Sequence, residues 1–192
     1  MASFNVKRRS FYISLGVCIL AISLDSEFEF EINLDKVLKM LIIHEIGEVL
    51  IGDITPFDNI TPEQKQKIEH QAMSDVLGSL MKKEELLSLL FEFDEQNTNE
   101  SRFAYLCDKL EADIQAKVYE DTGYQHSLDD QANNVVFKNP KIAEMMANGA
   151  TTAFDIWYEW DKNKFIADPI FKETLEYVKN NNCNIKTRKK KY

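Results

Sequence analysis

The sequence predicts an all-α protein. Three observations carry that prediction. Apolar residues recur at helical spacing over most of the chain. Capping residues stand where several of those patterns begin. Only 6 Gly and 4 Pro occur in 192 residues, too few for a turn-rich all-β chain. The length favours a single helical domain, set at residues 1–179, with a polar basic tail over 180–192. A chain of this size buries about two-thirds of its unfolded surface, so folding requires no disulfide or structural metal.

The first apolar run is Phe11 to Leu24, preceded by Lys7-Arg8-Arg9. It has the look of a signal peptide, but it is too short to span a bilayer and no A-x-A site follows. The acidic stretch Asp25 to Glu31 comes next. The competing reading is a buried first helix.

Leu34 to Ile51 forms the next helix, with Leu34, Val37, Leu38, Leu41, Ile42 and Val49 as its apolar set. Asn33 is its expected N-cap, and Gly52 and Pro56 close it. Thr61-Pro62-Glu63-Gln64 starts another helix as a capping box, running to about Leu80. A short helix follows from Lys83 to about Phe93. Asn97-Thr98-Asn99-Glu100 opens a long one, with Phe103, Leu106, Cys107, Leu110, Ile114 and Val118 on its apolar side. Gly123 to Asn134 reads as a polar surface loop. Two further helices fit Pro140 to Asp161 and Pro169 to Lys179.

The net charge of −9 argues against a duplex nucleic-acid binder, which needs a basic footprint. The terminal run Arg188-Lys189-Lys190-Lys191 reads as a solvated end. Cys18, Cys107 and Cys183 are odd in number and widely spaced, the pattern of reduced thiols in a cytoplasmic protein. No membrane partner is expected.

The chemistry sits in His44-Glu45-Ile46-Gly47-Glu48-Val49-Leu50-Ile51-Gly52-Asp53. His44 and Glu48 are four apart and share a helix face. Asp53 follows Gly52, where the chain can leave the helix and fold back. Buried charge is costly unless it is paired or bound to metal. One imidazole and three carboxylates in an apolar setting therefore suggest a divalent cation such as Mn, Fe, Co, Ni or Zn. A hydrogen-bonded core histidine beside a solvated acidic stripe fits the same spacing. Glu48 stands where a zincin needs its second His, which disfavours a metalloprotease. Asp108, beside the apolar stripe of the long helix, is a second candidate. By itself it reads first as a solvent-facing or Lys-paired carboxylate.

Two segments taken together are more specific. His44 to Met73 and Asn99 to Asp121 resemble the HD-domain phosphohydrolases, most nearly the 5′-deoxynucleotidase-like branch. The shared pattern is H-D-x-x-E-x-x-x-G-D-[IL]-x-P, then a long helix with an [LA]-D-[KQ] core. The resemblance covers roughly Cys18 to Asp121. It implies an HD-domain helical bundle, with Phe11 to Leu24 as its first helix. It also implies a metal held by His44, by Glu45 in the position of the doublet Asp, and by Asp108. Glu48 and Asp53 correspond to the acidic pair that positions water and phosphate and handles protons.

Two positions depart from that pattern. Glu45 is one methylene longer than Asp but keeps a carboxylate that can ligate. Ile13 stands where the first-helix His of E-S-V-x-[DE]-H belongs. His70 and His126 are weak candidates to replace it.

The implied activity is a metal-dependent phosphomonoesterase on deoxynucleoside 5′-monophosphates or similar small phosphates. Its cofactor is a divalent cation: Mn, Co, Fe, Ni, Mg or Zn. The alternative is an HD-fold protein that lost activity with Ile13 and now binds a ligand or partner. Small proteins of this branch suggest a homodimer. Trp157-Tyr158-Glu159-Trp160 is either core or such a contact.

Overall fold

A computed structural model describes residues 15–51, 61–78, 80–124, 128 and 138–184; of residues 45, 47–51 and 62 only the backbone is described. Among these residues there are helices and turns and no strand. The all-α expectation holds. The chain divides into two compact units, Met1–Asp108 and Lys109–Tyr192, and the division falls within one long helix.

The first unit begins with α1, residues 15–24. Val17, Ala21 and Leu24 are buried while Leu15, Ile19 and Ile22 are half exposed, so the run is amphipathic. The expected start at Phe11 lies outside the described residues. A 3₁₀ turn, Asp25–Glu27, leads to Phe28, whose ring packs on Phe103 at 4.8 Å.

Helix α2, Leu34–Ile51, has the expected bounds. The Asn33 side chain accepts the Lys36 N–H at 3.1 Å, so the predicted N-cap forms. Its buried stripe is Val37, Met40, Leu41, Ile43 and His44. Ile42, expected in the core, is exposed because the stripe is rotated onto the 37-40-41-44 face. The closing residues Gly52 and Pro56 lie outside the described residues.

Helix α3, Pro62–Leu77, starts from the predicted capping box of Thr61 and Gln64. It stops at Leu77 rather than Leu80. Gly78 takes a positive φ of 45° there, and its N–H closes on the Ser74 carbonyl. Helix α4, Lys83–Glu95, runs two residues past Phe93 and ends on left-handed Gln96. Ile43, Met73, Leu77, Leu87 and Leu90 form one buried cluster that joins α2, α3 and α4.

Helix α5, Asn99–Asp121, is the long predicted helix. Its cap differs from expectation. Thr98 and Ser101 exchange hydrogen bonds at 3.1 Å, each hydroxyl accepting the other's N–H. Glu100 instead accepts the Asn33 N–H at 3.1 Å, linking the starts of α5 and α2. Phe103, Leu106, Cys107 and Leu110 are buried as expected. Ile114 and Val118 are only partly buried.

In the second unit the single helix expected over Pro140 to Asp161 is two, α6 Pro140–Ala147 and α7 Ala153–Asp161. Gly149 breaks it at a φ of 106°, and Thr152 with Asp155 builds a new capping box. Helix α8, Pro169–Asn180, follows a short 3₁₀ turn, Lys162–Phe165. Phe154, Tyr158, Phe165, Phe171, Leu175 and Val178 are buried in this unit. Of the aromatic cluster, Tyr158 is core and donates to Glu176 at 2.5 Å, while Trp157 is exposed. Within the expected polar loop, Gly123 and Tyr124 are exposed but Leu128 is buried.

Candidate functional site

The site rests on the buried face of α2. His44 extends the Val37, Met40, Leu41 stripe by one turn, and only 8% of the residue is exposed. It is therefore a polar ring at the end of an apolar seam. Phe93, from the last turn of α4, stacks on it with ring centroids 4.2 Å apart and planes 25° from parallel. That contact fixes the face of the imidazole. Phe93 was not among the residues the sequence nominated. The only sequence signal is its position at the apolar end of Leu87, Leu90 and Phe93.

Asp108 approaches from α5. Its Oδ1 lies 3.9 Å from His44 Nε2, and 14% of its side chain is exposed. Its helix is anchored by Phe103, Ala104 and Cys107, all fully buried. Lys36 of α2 reaches Glu92 of α4 at 2.6 Å, and Glu92 also accepts the Thr98 hydroxyl at 2.6 Å. This tie connects the three helices that carry His44, Phe93 and Asp108.

Glu45 and Glu48 lie on α2, but their side chains are outside the described residues. So is the whole of Asp53, and so are Ile13 and His126. Of the five nominated site residues, the described geometry thus brings together His44 and Asp108.

The donor chemistry of this pair fits a divalent cation. An imidazole nitrogen and a carboxylate oxygen are suitable ligands for first-row divalent metals. Bonds of about 2.1 Å at a tetrahedral angle separate two donors by about 3.4 Å. The observed 3.9 Å is half an ångström wider, within the reach of a small side-chain adjustment. Among the described residues no group of three His, Cys, Asp or Glu side chains is arranged to hold a metal. The further donor that the sequence names is Glu45, adjacent to His44, and its side chain lies outside the described residues.

His70 meets residues of α4. Its Nε2 lies 2.6 Å from Asp94 Oδ2, and its ring meets Phe91 at 4.5 Å. The pair links α3 to α4. Burial, and then the charge of Asp108, pushes the Cys107 thiol well above the usual range, which disfavours its thiolate. None of the three cysteines forms a disulfide. Among the described residues no helix is long and apolar enough to cross a membrane.

The family model for the HD domain matches residues 14–148. The 5′-deoxynucleotidase HDDC2 of Dictyostelium discoideum is 34% identical over 113 residues, 58% of this chain and 60% of that protein. The 5′-deoxynucleotidase HDDC2 of Homo sapiens is 30% identical over 123 residues, 60% of this chain and 59% of that one. The 5′-deoxynucleotidase hdd1 of Schizosaccharomyces pombe is 33% identical over 95 residues, 46% and 48% of the two chains. The chain thus spans less than two-thirds of each of these relatives. A conserved hypothetical protein from Pyrococcus furiosus, of known structure, is 30% identical with a TM-score of 0.47, covering 62% of this chain and 66% of that one.

Proposed function

This chain belongs to the HD-domain family, and on that premise we propose that it is a metal-dependent phosphohydrolase acting on deoxynucleoside 5′-monophosphates or similar small phosphates. The observation that carries the reading is the approach of buried His44 to Asp108 at 3.9 Å. Two potential ligands from separate helices meet on an otherwise apolar seam. The similarity to proteins named as 5′-deoxynucleotidases supports the substrate class.

In this reading His44, Glu45 and Asp108 hold the cation. A bound divalent cation supplies Lewis acidity toward water and neutralises phosphoryl oxygens. Phe93 keeps the His44 ring in one orientation and excludes water from its face. Glu48 orients the attacking water, and Asp53 moves the proton. Phosphoryl transfer asks mainly for positioning and charge stabilisation, so this small set of residues suffices. The chain carries a net charge of −9, and the cation would provide local attraction for an anionic substrate.

The second reading is a family member that binds without turnover. It is favoured by Ile13, which stands where the family carries a first-helix His. One assay separates the two. Phosphate release is measured from a panel of deoxynucleoside monophosphates with Mn, Co or Mg, beside Asp108→Ala. Metal-dependent turnover that vanishes in the variant supports the hydrolase. Folded protein that releases no phosphate with any metal overturns it for those substrates.

A further inference from the structure

Helix α1 carries an apolar row that the first unit leaves uncovered. Val17, Ala21 and Leu24 are buried on one side of the helix. On the opposite side Leu15, Ile19 and Ile22 are 53%, 55% and 53% exposed. Their spacing of four and then three residues places them on one face over two turns, a length of about 10 Å. Single exposed apolar residues are ordinary, but three in a row at helical spacing make a surface that can seat a second helix. Half-buried Cys18 borders the row.

The charges on either side of the row say what fits it. In the sequence Lys7-Arg8-Arg9 precedes Leu15, and Asp25, Glu27, Glu29 and Glu31 follow Ile22. No charged residue falls between Arg9 and Asp25. Glu27, Glu29 and Glu31 are exposed. Arg102 of α5 lies over the neighbouring Phe30 ring at 5.8 Å, so a single cation is placed beside four carboxylates there. The order along the chain is basic, apolar, acidic. Such a segment complements itself when two copies run antiparallel, because each basic end then meets an acidic one. A parallel pair sets like charges against each other at both ends, and they repel.

We propose that the exposed face of α1 is an interface between two copies of this chain, packed antiparallel about a two-fold axis beside Cys18 and Ile19. Leu15 of each copy meets Ile22 of the other, and the Lys7-Arg8-Arg9 run of each meets the acidic string of the other. A two-fold contact is isologous, so each pairing occurs twice. The row is short, so the dimer is reversible and depends on concentration. Added salt weakens its charged ends and leaves its apolar centre.

The test uses the full chain in sedimentation equilibrium over a concentration series. A monomer–dimer equilibrium is expected. Ile19→Asp weakens it by at least about 100-fold, because two isoleucines are lost and two like charges meet on the axis. Ile19 is half exposed in the monomer, so circular dichroism is unchanged. Glu27→Lys with Glu29→Lys weakens the dimer by about tenfold, and adding Arg8→Glu with Arg9→Glu restores it. Cross-linking reads the direction without a disruptive variant. With Cys18 and Cys183 replaced by serine, Leu15→Cys and Ile22→Cys chains are mixed under a mild oxidant. The antiparallel pair gives the mixed disulfide, and neither chain links to its own kind. A monomer at every concentration overturns the proposal, as when the chain's own residues cover the row. So does a dimer that survives Ile19→Asp, or one in which Leu15→Cys links only to Leu15→Cys.

Discussion

His44 Nε2 of α2 lies 3.9 Å from Asp108 Oδ1 of α5, and the His44 ring is stacked on Phe93 of α4. Three helices therefore converge on one imidazole. None of them could hold it alone: α2 supplies the ring, α5 the carboxylate and α4 the surface that fixes its tilt.

If that pair holds the cation, His44→Ala and Asp108→Ala each lose metal-dependent phosphatase activity by at least about 100-fold, more than the loss typical of an outer-shell change. Helical content should persist in both. Metal content of the purified variants, measured beside circular dichroism, checks the claim. Wild-type metal loading in both variants would show that the ligands lie elsewhere. Chelation should abolish wild-type activity, and the added metal should restore it.

Phe93 is predicted to serve both core and site. Phe93→Ala should destabilise the protein by about 3–5 kcal/mol, the usual loss for a buried phenyl ring. Phe93→Leu keeps most of the buried volume but removes the flat face against His44. It should retain a cooperative melt while metal affinity drops. Equal affinity in Phe93→Leu would mean that the ring only fills space.

His70 is predicted to be structural. Its 2.6 Å contact with Asp94 joins α3 to α4. Asp94→Asn or His70→Ala should cost about 1–3 kcal/mol, as for a hydrogen bond to a charged group. Bound metal should stay at the wild-type level. Denaturant melts and metal analysis of the same preparations decide it, and metal loss in His70→Ala would restore His70 as a ligand.

The α7 capping box should give an acid-side effect on stability. Partial burial alone raises the Asp155 carboxyl, but N–H and hydroxyl donors of Thr151 and Thr152 outweigh it and hold the group below its usual value. Its contribution is present above the ordinary aspartate value and is lost as pH falls through the depressed one. Thr152→Ala should cost about 1 kcal/mol at neutral pH. Asp155→Asn should remove part of the acid-side loss, read from melting temperatures between pH 3 and 6.

The sequence by itself determined the helices whose ends carry local chemistry. Asn33, Thr61 and the α2 bounds were legible because caps and apolar periodicity act within a few residues. The pattern from His44 to Asp53, joined with Asp108, was legible as a family resemblance. Other features depended on the backbone or on distant partners. The break at Gly149 turned one expected helix into two, since a positive φ is a backbone choice that composition does not announce. Ile42, expected in the apolar set, is exposed and Met40 is buried, because helix rotation is set by what α2 packs against. Phe93 and the His70–Asp94 pair were decided by tertiary structure alone. Each owes its role to a residue far away in the chain, and only packing creates the low-dielectric surroundings in which such neighbours matter.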